Sequence, residues 1–368
     1  MSKAKAQFED LTERHREILT AILEDFIATA EPVGSRSLTR RRAVSVSPAT
    51  VRNAMADLEE MGLLSAPHAS AGRVPTVAAF RIYVERLAQR GRISSKDREL
   101  VQALSQQENR DLKTLLAEAG RVLSSVSRHA SLVLMPAVDE VVFDSIEFMP
   151  LRENAVLTVF VAKSGLIQHR VVDVDFPASR DELARMSNYL KSLLGGKVLA
   201  EVRQQILRSM ADERSMADAM MRQALDLGQR VLGPRPPVED VLVEGERTFL
   251  DQPEFADIAK MRRLLRAFEE KTLLLRLLDA AATRSIGSGA ASRDETMVIL
   301  GSDASVRDLQ ELAAVTATYA TEDGSAGRLA ILGPTRMDYS RVIPLVEMTA
   351  QALSDSLGHS GNGESTGS

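Results

Sequence analysis

The segment from residue 47 to residue 76 constrains the fold more than any other part of the chain. It reads SPATVRNAMADLEEMGLLSAPHASAGRVPT. Ser47 suits a helix cap, and Pro48 suits the first helical turn, where a missing N–H costs nothing. Gly62 is typical of a position just past a helix C-terminus. Apolar residues recur between these signals at helical spacing and predict one buried face. That predicted face comprises Val51, Ala54, Met55, Leu58 and Met61.

The flanking segments complete the pattern of a winged helix-turn-helix. Leu63 to Pro75 is too short and too rich in Gly, Ser and Pro for another helix, so we predict a two-stranded wing. Upstream, Thr12 to Thr29 has an amphipathic helical pattern, and a Pro and a Gly at 32 and 34 interrupt it. Ser35 to Arg41 predicts a short second helix. In such a fold the third helix enters the DNA major groove.

The distribution of charge agrees with this prediction locally, although the whole chain has a net charge of −5. Residues 1–92 hold 14 Lys and Arg against 11 Asp and Glu. Ser35 to Ala56 contains five arginines and no acid, a pattern typical of phosphate binding. The alternative is a solvated arginine-rich surface without a partner. The arginines of this cluster are Arg36, Arg40, Arg41, Arg42 and Arg52.

Beyond residue 92, strand-like runs flank a helical block. The length of 368 residues suggests two or three domains. We predict an α+β multidomain protein in which a mainly helical subdomain interrupts the α+β domain. The predicted boundaries are 1–92 for the winged helix, 93–197 and 286–357 for the two parts of the α+β domain, 198–285 for the inserted subdomain, and 358–368 for a disordered tail.

The inserted block contains more apolar surface than one helix can hide. We interpret this surface as a dimer interface, because helix-turn-helix proteins usually bind DNA in two copies. Burial inside the same subdomain is the alternative. The residues concerned are Leu264, Leu265, Phe268, Leu273, Leu274, Leu275, Leu277 and Leu278.

Four motifs in order make the chain resemble the bacterial HrcA family of heat-inducible transcription repressors. They are SPATVRN at 47–53, HASAGRVPT at 68–76, QPEF at 252–255 and GPTRMDY at 333–339. The resemblance spans almost the full length. One departure is Ala69, where the family often has Thr.

The resemblance implies an N-terminal winged helix, a GAF-like domain and an inserted dimerising domain. It also implies a homodimer that represses chaperone operons by binding an inverted-repeat operator called CIRCE. Activity is expected to depend on the GroE chaperonin, so that misfolded protein relieves repression by occupying the chaperonin.

Within this frame we assign expected DNA contacts by position. Thr50, Arg52 and Asn53 are expected to contact the operator, since Arg reads guanine and Asn reads adenine. Ser47 is shared between capping and phosphate binding. Arg40, Arg41 and Arg42 are expected to contact phosphates, which strengthens binding to all sequences alike. His68 and Arg73 are the wing candidates, although His68 is equally well explained as an exposed loop residue.

Other chemistry finds little support in the sequence. The five histidines are scattered without metal-ligand spacing, and cysteine is absent. No phosphate loop, G-x-G-x-x-G or G-x-S-x-G motif occurs, so we expect no enzyme and no cofactor. No signal peptide or membrane-spanning run is evident, so we expect a cytoplasmic location and no membrane partner.

Two further questions remain open from the sequence. Gly333 to Tyr339 is either a loop over an anionic ligand or a structural turn in which Arg336 pairs with an acid, and we favour the turn. A regulator gated by a metabolite in the GAF-like domain is the alternative function, and a winged helix used only for protein contact is a third possibility.

Overall fold

The computed structural model describes the N-terminal winged helix and most of the α+β body. The described residues are 11–40, 46–68, 71–87, 91, 93–105, 111–136, 141–152, 154–176, 179–211, 219–232, 241–285, 296–301 and 309–358.

The N-terminal unit is a winged helix-turn-helix, as predicted. Its elements are α1 (Glu13–Thr29), α2 (Ser35–Arg40), α3 (Pro48–Glu60), β1 (Leu64–Ser65), β2 (Val74–Pro75) and α4 (Val77–Leu87). Strands β1 and β2 pair antiparallel and form the base of the wing. Gly62 has a φ of 73°, the left-handed conformation that lets the chain leave α3 and enter β1.

The body is built on a five-stranded antiparallel sheet of strands distant in sequence. These strands are β3 (Ala130–Leu134), β7 (Val241–Glu244), β8 (Met297–Leu300), β9 (Leu312–Ala320) and β10 (Ala326–Pro334). Their order across the sheet is β7-β3-β10-β9-β8.

Helices cover both faces of the five-stranded sheet. On one face lie α6 (Leu112–Ser127) and α12 (Tyr339–Gly358), and α5 (Ser95–Ser105) packs against these two helices. The other face packs against α10 (Ile258–Glu269) and α11 (Lys271–Ser285), with a 3-10 segment at Glu246–Asp251. Alternate strand residues accordingly enter two separate apolar cores, with Val133 and Ile331 in one and Leu132 and Ala330 in the other.

A second, three-stranded antiparallel sheet lies in the chain between β3 and β7. It consists of β4 (Phe143–Arg152), β5 (Ala155–Ala162) and β6 (Ile167–Asp173), in that order. The helices that follow it are α7 (Arg180–Leu194), α8 (Leu199–Ala211) and α9 (Ala219–Leu232). One sheet face packs on α7, where Ser187 Oγ accepts a hydrogen bond of 3.0 Å from the Phe148 N–H.

The expected α+β multidomain fold is therefore observed. The predicted inserted subdomain, however, does not stand apart from the five-stranded sheet. Strand β7 lies inside the predicted insertion, yet it pairs with β3 of the five-stranded sheet. Helices α10 and α11 also pack on that sheet. The proposed domain boundaries at 198 and 285 stay a prediction. Gly358 ends α12, and the rest of the predicted tail lies outside the described residues.

Most of the apolar surface of the helical block is buried within this chain. Five of its members have at most 6% of their surface exposed and pack in the core beneath the sheet, so the dimer-interface interpretation is wrong for them. These five are Leu264, Phe268, Leu274, Leu277 and Leu278. An exposed apolar surface exists elsewhere, on the three-stranded sheet.

Candidate nucleic-acid interface

The recognition helix α3 begins at the cap that its sequence predicts. Ser47 Oγ accepts a hydrogen bond of 3.2 Å from the Thr50 N–H, and the two side-chain hydroxyls lie 2.9 Å apart. Val51 and Leu58 are fully buried, so α3 is anchored by its apolar face. The first turn is thereby held rigid, with its polar side turned away from the core.

The predicted contact residues of α3 come together on this polar side. Arg52 and Asn53 are exposed, as is Ser47, while Thr50 is half-buried beside the cap. A guanidinium and a carboxamide on adjacent exposed positions have the chemistry needed to read base edges. Their assignment as DNA contacts stays a prediction.

The arginines of α2 lie on its exposed side. Arg36 and Arg40 are four residues apart in a single short helix, and both are exposed. This spacing places both guanidinium groups on one helix face. Arg41 and Arg42, which we predicted as phosphate contacts, lie outside the described residues.

The wing differs from a simple basic loop. Arg73 Nε donates a hydrogen bond of 2.7 Å to Glu59 Oε2 at the end of α3, and its side chain is 27% exposed. Its backbone also exchanges two hydrogen bonds with Val33, which ties the wing base to the helix-turn-helix. Gly72 fits here because an added Cβ would lie 2.5 Å from the Val33 carbonyl oxygen. The predicted phosphate contact of Arg73 therefore competes with an ion pair, whereas His68 is exposed near the tip.

One polar contact beside the recognition helix was missed by sequence reasoning. His15 Nε2 on α1 lies 3.3 Å from Asp57 Oδ2 on α3. The pair borders an open hollow that Thr50 and Asn53 also line. No local pattern indicates this contact, because the partners are separated by 42 residues and belong to different helices.

A second polar cluster lies where the winged helix meets the body. The turn after β10 carries Arg336, whose guanidinium pairs with Glu254 and also binds Gln252 and the Ile27 carbonyl. The interpretation of Gly333–Tyr339 as a structural turn with Arg336 paired to an acid is thus confirmed. Beside it lies His129, whose pKa is lowered to about 4 by burial and by the nearby Arg336 charge.

The residues that the structure describes offer neither a metal site nor a membrane span. No group of three or more His, Asp or Glu side chains is arranged to hold a metal ion. Within the same described ranges, no helix combines the length and apolarity needed to cross a bilayer.

Comparison with known proteins defines the class of this chain. A family model described as "Winged helix-turn-helix transcription repressor, HrcA DNA-binding" matches residues 10–87, and "HrcA protein C terminal domain" matches residues 113–343. Together with the capped recognition helix and its wing, these matches define a winged-helix transcription repressor, which is not an enzyme.

Relatives of known name extend the comparison to the full length. The heat-inducible transcription repressor HrcA of Geobacter sulfurreducens is 42% identical over 345 residues, covering 94% of this chain and 98% of that protein. The protein of the same name from Syntrophobacter fumaroxidans is 40% identical over 348 residues, covering 95% and 98%. The chain belongs to the HrcA family of heat-inducible transcription repressors.

A solved structure supports the fold independently. It is a crystal structure described as that of a hypothetical protein at 2.2 Å resolution, and it matches with a TM-score of 0.64. The match covers 95% of this chain and all of the other chain at 20% identity, so it bears on the fold alone.

Proposed function

We propose that the chain is a homodimeric repressor of chaperone operons that acts in the cytoplasm on an inverted-repeat operator of the CIRCE type. The observation that carries this proposal is the exposed first turn of α3, with Arg52 and Asn53 beside a rigid cap. Two copies of α3 would occupy successive major grooves, and the dimer axis would coincide with that of the operator. Bound protein would exclude polymerase from the promoter.

The exposed face of the three-stranded sheet supports dimerisation. Four of its aliphatic side chains have 42% to 59% of their surface exposed, namely Met149, Leu151, Ile167 and Val171. They lie next to half-buried residues of β5, since Leu157 pairs with both Met149 and Val171, and Val161 pairs with Ile167. The same face also carries Glu147 and His169, which are exposed on either side of Val159. A group of exposed apolar side chains with polar neighbours is typical of an interaction site. We therefore propose this face, rather than the buried surface of α10 and α11, as the dimer interface.

The same face offers a physical reason for dependence on the GroE chaperonin. An unpaired protomer would present it to solvent, and chaperonins bind exposed apolar surface. We expect refolding with chaperonin to recover more DNA-binding protein than refolding without it. Equal recovery of active protein in the two reactions would remove the chaperonin from the proposal.

The central test is binding of the refolded protein to a CIRCE-type inverted repeat and to a scrambled duplex of equal length. Affinity should be much higher for the repeat and should fall steeply with salt, with a log–log slope of about −0.9 per phosphate contact. Two protomers should bind each duplex. Equal, weak binding to both duplexes, with and without chaperonin, would contradict the repressor function.

A metabolite-gated regulator remains the second candidate from the sequence. In the described residues both faces of the five-stranded sheet are filled by apolar helices, which favours a structural role for the body. A small metabolite that raised the melting temperature and changed operator affinity together would favour gating instead.

A further inference from the structure

Arg336 joins three segments that are far apart in the chain. Its guanidinium pairs with the Glu254 carboxylate and donates a hydrogen bond of 3.1 Å to Gln252 Oε1. From Nη1 it donates another, of 3.0 Å, to the carbonyl oxygen of Ile27. Glu254 and Gln252 belong to the body, whereas Ile27 belongs to α1 of the winged helix. One side chain therefore connects the DNA-binding unit to the rest of the molecule.

The contact with Ile27 uses a group that α1 leaves without an internal partner. The last carbonyls of a helix lack an N–H from the following turn, and they carry the negative end of the helix dipole. The Ala30 N–H satisfies the Phe26 carbonyl, and Arg336 supplies the donor for the next one, Ile27. A cation at this position is favourable in charge as well as in hydrogen bonding.

The geometry of the contact suits arginine in particular. A planar guanidinium donates several hydrogen bonds in fixed directions, whereas the ammonium of lysine is a compact point charge. Only 15% of the Arg336 side chain and 24% of the Glu254 side chain are exposed, so solvent screens their attraction weakly. Glu254 thereby fixes the orientation in which Arg336 reaches α1.

Two other contacts join the winged helix to the body near Arg336. The rings of Tyr83 on α4 and Tyr339 on α12 meet edge to face, with centroids 6.5 Å apart. Gly91 passes so close to the Ser340 carbonyl oxygen that an added Cβ would lie 1.3 Å from it. The ring contact and the glycine contact are van der Waals contacts. Only the contacts of Arg336 are hydrogen bonds, which have a preferred direction.

We propose that Arg336 is a positioning residue for operator recognition: it fixes the winged helix on the body, so that the two recognition helices of a dimer keep one separation. This inference rests on the proposed binding of a dimer to an inverted repeat. Half-sites of such operators are spaced by whole helical turns, so the two α3 helices must match that spacing. After one winged helix has bound its half-site, the other binds the second half-site within the same complex. A loosely attached winged helix lowers the effective concentration for this second binding event.

The first test measures attachment without DNA. The chain contains no cysteine, so Glu60→Cys on α3 and Glu347→Cys on α12 provide two unique exposed sites for spin labels. Labelled chains are co-refolded with an excess of unlabelled chain, and the distance distribution is measured by pulsed electron paramagnetic resonance. Arg336→Met should broaden the distribution, because the directional contact with Ile27 is lost. An unchanged distribution would overturn the proposal.

Two further variants provide a matched control and a substitute for Arg336→Met. Arg328→Met is the matched control, because Arg328 also donates a hydrogen bond to a helix carbonyl, of Leu278 at 3.1 Å, but entirely within the body. It should leave the distribution narrow, and equal broadening in this control would overturn the proposal. If Arg336→Met fails to fold, Arg336→Lys replaces it, since it retains the charge beside Glu254 and should still broaden the distribution.

The second test measures the consequence for DNA binding. Affinity is compared on three duplexes: one with a single half-site, one with the inverted repeat, and one with the repeat lengthened by about five base pairs, which is half a helical turn. Arg336→Met should leave half-site affinity within about twofold, while the preference for the correct spacing falls about tenfold. Parallel losses on all three duplexes, or tighter binding to the correct repeat, would overturn the proposal. If the unsubstituted protein shows no preference for the repeat, the proposed function fails, and the distance measurement still decides whether Arg336 fixes the winged helix.

Discussion

Two exposed residues, one on α3 and one on α2, are expected to affect DNA binding in different ways. Asn53 has a carboxamide suited to a base edge, whereas Arg40 has a charge suited to phosphates. Asn53→Ala should cost about 1–3 kcal/mol on the operator and little on random DNA. Arg40→Ala should weaken both duplexes alike and reduce the salt slope by about one. Titration of both duplexes across a salt series measures these effects.

A second arginine of α2 provides a control for the comparison of Asn53→Ala with Arg40→Ala. Arg36 occupies the same face of α2 as Arg40, so Arg36→Ala should repeat the uniform loss. If Asn53→Ala and Arg40→Ala each weakened operator and random DNA by the same factor, the distinction between base reading and phosphate binding would be wrong.

His129 is expected to make stability depend on pH. Burial and the Arg336 charge lower its pKa from 6.5 to about 4, so as pH falls the unfolded chain takes up the proton first. The unfolding free energy should therefore decrease between pH 6.5 and 4, by at most about 3 kcal/mol. Glu254 and Asp338 oppose part of this shift. His129→Gln should flatten the dependence in denaturant titrations.

The exposed His68 of the wing provides the control for this prediction, because it lies away from the proposed dimer interface. His68→Gln should leave the pH dependence as it is in the unsubstituted protein. If the unfolding free energy of His129→Gln still fell with pH as in the unsubstituted protein, carboxylates would be the cause of the pH dependence instead.

At the scale of elements, the cap of α3 is expected to have two separable roles, helix capping and phosphate binding. Ser47→Ala removes the acceptor of the Thr50 N–H and should destabilise the winged helix by about 1 kcal/mol. Ser47→Asp keeps an acceptor there but introduces a negative charge toward the expected phosphate. We therefore expect Ser47→Asp to preserve the melting temperature and still weaken binding to any duplex. Full affinity in Ser47→Asp would make Ser47 a cap alone.

Elements with local signals were predictable from the sequence, and contacts between distant elements were not. Helix α1 has Thr12 as its cap and ends at the predicted Thr29, and α3 begins after the predicted Ser47 cap, because caps, turns and apolar periodicity lie within each segment. The pairing of β7 with β3 depends on a partner about a hundred residues away, which no local pattern specifies. For the same reason the ion pair of Arg73 with Glu59 was missed, although both residues lie in predicted elements.

At the scale of the whole molecule, the exposed face of the three-stranded sheet is expected to control assembly. Ile167→Lys places a charge on this face at the start of β6, opposite Val161, and should shift the protein from dimer to monomer. Sedimentation equilibrium measures the change in molar mass. Operator affinity should fall with it, since a monomer reaches only one half-site.

Leu265→Lys, on α10, is the matched control. Leu265 is also an exposed aliphatic residue, 45% exposed on α10, but it lies outside the three-stranded sheet. It should leave the molar mass unchanged. A dimer that survived Ile167→Lys and dissociated with Leu265→Lys would move the interface to α10.

The order of strands in the five-stranded sheet also has a consequence for synthesis on the ribosome. Strand β3 lies between β7 and β10, yet β10 begins about 190 residues after β3 ends, and at 5–20 residues per second this is a delay of roughly 10–40 s. During that time the aliphatic run of Ala130, Leu132, Val133 and Leu134 lacks the strand with which it pairs in the finished protein. Unpaired apolar strands associate with one another, so each nascent chain passes through an interval of aggregation risk that its own topology imposes.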